Sequence, residues 1–252
     1  MTTRVAVIGA TGTMGQLASR LVRDAPDFEL VAELDSRSDP GAMLGADVAI
    51  DLTSPAVSQR LVDFAVDNGL RVLVGTSGWS RDRIAALERR VEALPETAVV
   101  IVPNFSIGSV LGTAVSALVA RFFDSIEIVE AHHAGKIDSP SGTSVRTAEL
   151  IGMARGGIGP VAAPHTDQRA RGQQVSSVPI HSLRLEGVLA RQEVIFGGRG
   201  ETLTIRHDTV SASSYEHGIM LALRALPGAS GVVVGLDALL DLGLGGHPAA
   251  AR

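Results

Sequence analysis

Polar side chains suited to acid–base chemistry crowd into one short stretch of the sequence, "EAHHAGKID". Glu130, His132, His133, Lys136 and Asp138 directly follow "FFDSIEIV", an apolar run typical of a buried strand. Neighbouring strand side chains point to opposite faces, so adjacent histidines do not meet one ligand while the strand continues, and no metal site is predicted. They instead allow one histidine to act on a reacting group and the other to contact a substrate, with the lysine as a second donor. A lone histidine is more often structural, but this cluster in an acidic chain indicates a local cationic site.

The residues that follow, "SPSGTS", open a helix that continues as "VRTAELIGMA". Ser141, Gly142 and Thr143 stand at its start, where backbone amides and hydroxyls can receive an anion. The alternative is a plain N-cap with no ligand. Given the cationic neighbours, we predict that this turn holds a small carboxylate or phosphate.

A glycine-rich turn lies near the N-terminus, in "GATGTMG" between a short β-branched run and an amphipathic helix. Gly9, Gly12 and Gly15 follow a G-x-x-G-x-x-G spacing, which differs from the commoner G-x-G-x-x-G and by itself fits a packing turn equally well. Asp35 ends the second predicted strand, where an acid can accept hydrogen bonds from an adenosine ribose. Turn, context and acid together predict a dinucleotide site with its pyrophosphate at the helix N-terminus.

Two further strand ends should lie at the same edge of that sheet: "GTSG" at Gly75–Gly78 and "VPNF" at Val102–Phe105. Ligands of open α/β sheets bind at the carboxyl ends of the strands. Each segment taken singly is equally consistent with a turn chosen for its backbone geometry.

The scaffold that positions these groups is predicted to have two parts. Up to "TAVVIVPNF", short buried strands alternate with amphipathic helices, which is typical of a doubly wound parallel sheet. After Ile107, "SIEIVEAHH", "VPIHSLRLEG", "RQEVIFGG" and "ETLTIRHDTV" come with few helices between them and predict a mostly antiparallel sheet. The segment Arg155 to Ser177 is predicted to be a long exposed excursion. The last segments, "YEHGIMLALRAL" and "GVVVGLDALLDL", are predicted to be helical and to return to the first domain.

Composition narrows the functional classes. The 252 residues carry a net charge of −5, so the chain lacks the basic field expected of a generic nucleic-acid or membrane-surface binder. The absence of cysteine excludes disulfides, thiolate nucleophiles and Cys-ligated metals, and it fits the reducing cytoplasm. "MTTR" leads directly into "VAVIGA" with no signal-peptide pattern. The most apolar helical candidate, Ile107 to Phe123, is too short for a bilayer and is predicted to be a buried connecting helix.

The stretch "EAHHAGKIDSPSGTS" closely resembles the signature E-x-H-H-x-x-K-x-D-A-P-S-G-T-A of the 4-hydroxy-tetrahydrodipicolinate reductase family. These are pyridine-nucleotide reductases of the diaminopimelate route to lysine. The likeness covers nearly the whole chain, because "GATGTMG", "GTSGW", "VPNFSIG", "HSLRLEG", "QEVIFG" and "GETLTIRHD" resemble family segments in the same order. The central motif is specific, whereas the glycine turn is not.

The resemblance implies a Rossmann-like dinucleotide-binding domain made of residues 1–106 and 217–252. Residues 107–216 would form a mixed α/β domain for substrate binding and oligomerisation. It further implies NADH or NADPH as cofactor, a small dicarboxylate as substrate, and a homotetramer.

Site residues follow by matching motifs. His132 and Lys136 are implied to be catalytic, while Arg184 in "SLRLEG" is a weaker candidate for a nearby role or a structural arginine. The implied substrate contacts are His133, Ser141, Gly142 and Thr143. The implied cofactor contacts are Gly9, Ala10, Thr11, Gly12, Thr13, Met14, Gly15, Asp35, Gly75, Thr76, Ser77, Val102, Pro103, Asn104 and Phe105.

The chain departs from the family pattern at a few positions. Ser139 replaces the usual Ala, and Ala212 stands where many members have Arg. Thr11 and Thr13 occupy turn positions where members often carry Lys or Arg, which weakens the case for binding a 2′-phosphate. His165 and His247 in predicted loops, and His181 and His207 in predicted strands, are assigned no function.

Two other interpretations stay open. One is another two-domain NAD(P)-dependent dehydrogenase of a small carboxylate, although the missing cysteine excludes a semialdehyde dehydrogenase with a thiolate nucleophile. The other is a protein that senses NAD(H) without turnover, which gives no reason for a lysine and two histidines beside an anion-binding turn.

Overall fold

The computed structural model of the chain describes residues 2–240, which form two compact units. One unit contains the chain up to Phe105 and again from Tyr215, and the other is Ser106–Ser214. These bounds lie within two residues of the predicted ones, and the assignment of a ligand to each unit stays a prediction. Within residues 2–240, no helix is both long and apolar enough to cross a membrane.

The first unit is a six-stranded parallel sheet with helices between its strands. Its strands are β1 (Thr3–Ile8), β2 (Phe28–Leu34), β3 (Val48–Asp51), β4 (Arg71–Val74), β5 (Ala98–Ile101) and β11 (Gly231–Val234). Its helices are α1 (Thr13–Asp24), α2 (Ser58–Asp67), α3 (Arg81–Glu92) and α6 (Glu216–Ala225). The strand order is β2-β1-β3-β4-β5-β11, which confirms the predicted doubly wound sheet.

The order of the strands determines where a ligand can bind in this unit. The chain runs from β1 to β2 on one side and then crosses to β3 on the other side of β1. The direction of winding therefore reverses between β1 and β3, and a crevice forms at their carboxyl ends. Strands β3 and β5 are buried along their whole length, as expected where helices cover both faces of a sheet.

One predicted helix is wrong. The segment Gly231–Val234 forms the edge strand β11, which pairs in parallel with β5, and only Asp237–Leu239 turns as a short 3₁₀ helix. Three consecutive valines favour an extended backbone, and the unpaired edge of β5 gives them hydrogen-bond partners. The predicted helix at α6 is confirmed. The last two residues of the predicted helical segment, Asp241 and Leu242, and also His247 lie outside the described residues.

The second unit is a five-stranded mixed sheet with two helices. It contains α4 (Ile107–Val119), β6 (Ser125–His132), α5 (Gly142–Ala154), β7 (Gln173–Val175), β8 (Val178–Arg184), β9 (Ala190–Gly198) and β10 (Glu201–Thr209). The order is β10-β9-β6-β8-β7, and every pair is antiparallel except β6 with β8. This confirms the prediction of a mostly antiparallel sheet, with β6 at its centre.

Two elements of this unit differ from a simple layer of helices on a sheet. Helix α4 packs against α5 and β10, but its residues Leu111, Val115 and Leu118 are exposed, so the prediction of a buried helix was wrong. The excursion after α5 is largely exposed, as predicted, but it starts from a buried side chain. The Arg155 guanidinium donates to the carbonyls of Ala120 and Phe123 at 2.7 and 2.5 Å, which anchors the start of the excursion to the core.

Candidate active site

The glycine turn at the end of β1 is shaped by close backbone approaches. Gly9 has φ +83°, and a Cβ there would lie 2.4 Å from the Leu52 carbonyl oxygen. A Cβ on Gly15 would lie 2.0 Å from the Gly9 carbonyl oxygen. Gly12 is less crowded, and it precedes α1 without any side-chain cap on the helix. The turn therefore presents helix amides and open space together, which fits a pyrophosphate.

Asp35 lies directly beside this turn. The amides of Gly9 and Ala10 donate to the Leu34 carbonyl at 2.9 and 3.0 Å, which ties the turn to the end of β2. The hydrogen bonds from the Arg37 amide and the Ser38 hydroxyl hold the pKa of the Asp35 carboxyl below its usual value. Asp35 is therefore an anionic acceptor at the position where a dinucleotide ribose is expected.

The two neighbouring strand ends meet, but several of their side chains point inward. A Cβ on Gly75 would lie 2.6 Å from the Phe105 ring, so the ends of β4 and β5 pack on each other. The Thr76 hydroxyl is buried and accepts from the Thr53 amide at 2.9 Å, and Val102 and Phe105 are buried as well. For these three predicted cofactor contacts, any contact with a ligand would be through backbone atoms.

A buried acid at the end of β3 was not among the predicted site residues. Asp51 is fully buried and accepts from the Thr53 amide at 3.2 Å and from the Ser58 hydroxyl, which itself accepts from the Trp79 indole at 3.1 Å. This network holds the start of α2 and the segment after β4 at the carboxyl edge of the sheet. An acid that ends the apolar run "DVAID" is the signal that could have found it.

In the second unit, Glu130 is the centre of the candidate site. It is fully buried, and its carboxylate accepts from His132 Nδ1 at 2.6 Å and from two nitrogens of Arg184 at 2.9 and 3.0 Å. Burial alone would raise the pKa of Glu130, but the hydrogen bonds from His132, Arg184 and Ser182 lower it to about 2. Glu130 is therefore ionised, and His132 is held through one ring nitrogen.

Arg184 also holds the loop that carries Lys136. Its guanidinium donates to the carbonyl oxygens of Lys136 and Asp138 at 3.3 and 2.5 Å. The Lys136 ammonium lies 2.7 Å from the Asp138 carboxylate and lowers the pKa of that acid. The structure thus brings both predicted catalytic residues into one cluster, and Arg184, predicted only weakly, connects them.

Lys136 carries a further signal that was available in the sequence. It is the only lysine of the chain, since all other basic side chains apart from histidine are arginines. Lysine differs from arginine in that its ammonium group is a compact point charge with three rotatable donors on a flexible stem, whereas the guanidinium is a planar fork. A single lysine at this position supports the prediction that the residue type matters there.

The start of α5 faces the same cluster. The buried Ser141 hydroxyl caps the helix by accepting from the Ser144 amide at 3.2 Å, and the Ser141 amide donates to Glu130 at 3.3 Å. Both polar groups of Ser141 are thus used inside the protein. The amides of Gly142 and Thr143 are the remaining donors of the first turn, and Gly142 is exposed. His133 is exposed too, because β6 ends at His132. Their direct contact with a substrate stays a prediction.

A polar network behind α5 was also not predicted. The Gln192 amide accepts from the Ser144 hydroxyl at 2.8 Å and donates to the Thr147 hydroxyl at 3.1 Å. Gln192 lies opposite Glu130 on the neighbouring strand β9. It therefore fastens the start of α5 to the sheet next to the cluster.

These features define the class of protein, a pyridine-nucleotide-dependent oxidoreductase built from two units. Two family models cover almost the whole chain: "Dihydrodipicolinate reductase, N-terminus" matches residues 3–105, and "Dihydrodipicolinate reductase, C-terminus" matches residues 108–240. The chain belongs to the dihydrodipicolinate reductase family. Members of this family use NADH or NADPH.

Individual relatives agree with this assignment. The 4-hydroxy-tetrahydrodipicolinate reductase of Clavibacter michiganensis is 64% identical over 96% of this chain and 87% of its own length. That of Streptomyces griseus is 45% identical over 95% of this chain and 98% of its own length. A solved dipicolinate-bound dihydrodipicolinate reductase from Paenisporosarcina superposes with a TM-score of 0.80 at 31% identity, covering 95% of this chain and all of that one.

Proposed function

We propose that this protein reduces 4-hydroxy-tetrahydrodipicolinate to tetrahydrodipicolinate with NADH or NADPH, in the diaminopimelate route to lysine. The observation that carries the proposal is the cluster at the end of β6, where His132, Lys136 and the start of α5 lie together around one buried carboxylate. Support comes from the relatives of that name and from the similar solved reductase, which is dipicolinate-bound.

The reaction explains why these residue types are needed. The substrate ring takes a hydride from the reduced nicotinamide, takes up one proton and loses one water. His132, held through Nδ1, offers Nε2 for the transfer of the proton. Lys136 stabilises negative charge that develops on the ring. Its present partner Asp138 is largely exposed, and an exposed ion pair costs little to exchange for a substrate carboxylate.

The substrate is a dianion, and the start of α5 suits one of its carboxylates. The amides of Gly142 and Thr143 and the positive end of the helix dipole attract negative charge. The exposed His133 is a further donor for the same substrate. Ser141 contributes by keeping the turn in place, since its hydroxyl caps the helix.

For the cofactor, we propose that both NADH and NADPH are used, with NADH at least equal. Asp35 accepts from the ribose hydroxyls and repels a 2′-phosphate, whereas Arg37 is 90% exposed and free to turn towards that phosphate from its position 3.7 Å from Asp35. Kd values for the two cofactors check this. A preference for NADPH of more than about tenfold, or 1.4 kcal/mol, would show that Asp35 does not govern the choice.

We further propose a cytoplasmic homotetramer assembled through the second unit. Helices α4 and α5 pack on the sheet, yet Val129, Leu183 and Ile195 on its other face remain partly exposed. Apolar groups on a sheet face that these helices leave open support contact between copies. Light scattering on the purified protein would test the mass of the assembly.

The activity is tested by following NADH or NADPH oxidation with substrate made freshly from pyruvate and aspartate semialdehyde. We expect substrate-dependent oxidation that pyridine-2,6-dicarboxylate inhibits. Binding of NADH without turnover would favour the sensing protein instead. Oxidation with other small carboxylates, but not with this one, would favour a different dehydrogenase.

The single lysine allows a second test that needs no turnover. An amine-acylating reagent can modify only Lys136 and the amino terminus, so mass spectrometry reads the modification of Lys136 directly. We expect pyridine-2,6-dicarboxylate to protect Lys136 and leave the amino terminus reactive. Equal modification with and without the ligand would place the ligand elsewhere.

A further inference from the structure

Glu130 is a charged side chain whose buried position does not suit contact with a substrate. It is fully buried, between Ser182 on one neighbouring strand and Gln192 on the other. Burying a carboxylate is costly unless it is paired and hydrogen-bonded. Both of its oxygens are occupied by protein donors, namely His132, Arg184 and the Ser141 amide. The role of Glu130 therefore lies in its effect on the positions of these neighbours.

We propose that Glu130 and Arg184 form a positioning pair that holds His132 and the Lys136 loop in one working arrangement. The proposal rests on the proposed function only where rates are measured. Neither residue touches the substrate in this account, because one is buried and the other is committed to the protein on every side described.

The first part of the argument concerns the histidine ring. An ionised carboxylate only accepts hydrogen bonds, so His132 must carry its proton on Nδ1 at 2.6 Å from Glu130. This determines the tautomer of a neutral ring and directs Nε2 away from the pair. Without Glu130, the ring is free to rotate, so Nε2 no longer takes up a proton and passes it on from a fixed position, and the proportion of correctly arranged enzyme falls.

The second part concerns the guanidinium. Arg184 binds Glu130 with two nitrogens and reaches the Lys136 and Asp138 carbonyls with its remaining donors. These are the carbonyl of the lysine itself and that of the residue two positions later, so the position of Lys136 depends on the same group that neutralises Glu130. A planar fork with five donors can make these bonds together, whereas an ammonium group cannot.

The same strand provides a matched control. Glu127, three residues earlier on β6, pairs with Arg171 and accepts from His181 Nε2 at 2.7 Å. It has the same three residue types, but its side chain is 32% exposed and it points to the opposite face of the sheet. No predicted site residue belongs to this second cluster.

The kinetic test compares the two clusters. We expect Glu130→Gln and Arg184→Lys each to lower kcat roughly 10- to 100-fold, the usual effect of removing a partner that orients a histidine, with KM and the Kd for NADH within about threefold of wild type. The double variant should be no slower than about the slower single variant, because the pair acts as one unit. Glu127→Gln lies on the sheet face proposed for contact between copies, and it should keep full turnover with an unchanged mass by light scattering. Wild-type kcat in folded Glu130→Gln, or a loss that appears only in KM, would overturn the proposal.

A spectroscopic test reads the ring directly and does not depend on activity. In wild-type protein labelled with ¹⁵N-histidine, we expect a downfield proton bonded to His132 Nδ1, identified by its absence in His132→Gln. An Nδ1 without a proton in the folded wild-type protein would overturn the proposal. If the wild-type enzyme failed to reduce the substrate, the proposed function would fall while this measurement still decided the positioning pair.

Discussion

Two Glu–Arg–His clusters on one strand differ in burial rather than in composition. Glu130 is fully buried on the helix-covered face of β6, with its partners Arg184 and His132 partly exposed, whereas Glu127 lies on the other face with Arg171 and His181 and is 32% exposed. The buried cluster holds groups that are proposed to meet a substrate, and the exposed one fastens the excursion to β6 through the ion pair of Arg171 with Glu127. Residue types alone do not identify an active site, because burial and the onward contacts decide what the same three groups do.

The largest contrast should appear in stability. Glu130→Ala leaves the partly buried Arg184 cation without its carboxylate partner, so we expect a loss of about 3 kcal/mol in the free energy of unfolding. Glu127→Ala removes a half-exposed pair and should cost no more than about 1 kcal/mol. Urea unfolding of both variants measures the difference. Equal losses would mean that the two clusters do not differ as described.

The second largest effect should be the loss, at low pH, of the contribution of Glu130 to the free energy of unfolding. Because folding lowers the pKa of Glu130 from 4.5 to about 2, its stabilisation is present above pH 4.5 and is lost as the pH falls towards 2. The shift corresponds to about 3 kcal/mol. Unfolding free energies between pH 6 and pH 2 should therefore fall less steeply in Glu130→Gln than in wild type. A variant curve parallel to that of wild type would contradict this assignment.

Replacing the histidine of each cluster should have different effects on kcat. His132→Ala removes the proposed proton donor and should lower kcat about 10²-fold or more. His181→Ala removes a bond to Glu127 and should leave kcat within about twofold, because it lies on the exposed cluster. Steady-state kinetics with both variants checks this pair. A comparable loss in His181→Ala would show that the second cluster also serves the reaction.

The smallest effect should come from Arg171. Arg171→Ala frees the excursion from Glu127 and from the Pro164 carbonyl, and we expect a stability loss of less than about 1 kcal/mol. Local opening should then increase up to about fivefold, which cleavage by thermolysin within residues 155–177 would reveal. Unchanged cleavage would mean that the excursion is held mainly by Arg155.

Much of the fold and part of the site follow from local patterns. A few neighbouring residues are enough to predict the β1 turn, Asp35 and the polar end of β6, because strand ends and helix starts have short sequence signatures. Edge strand β11 was mistaken for a helix, since its four residues take their structure from pairing with β5, far away in the chain.

The parts that could not be predicted depend on long-range register. Arg184 reaches Glu130 because β6 and β8 pair in parallel with Glu130 opposite Ser182 and His132 opposite Arg184. No local pattern specifies that alignment. The inward turn of Thr76 likewise depends on its bond to Thr53, a neighbour in the sheet but not in the chain. Positions within elements were predictable, whereas partners across elements were not.

The most direct test of the account is the turnover of Lys136→Ala, because this change removes the only lysine of the chain from the proposed catalytic centre. We expect kcat to fall about 10²-fold or more, while the Kd for NADH stays near the wild-type value, since the predicted cofactor contacts belong to the first unit. Lys136→Arg, which keeps the charge but does not release a proton, should recover substrate binding better than turnover. Nearly full turnover in a folded Lys136→Ala protein would contradict the assignment of this segment as the catalytic centre.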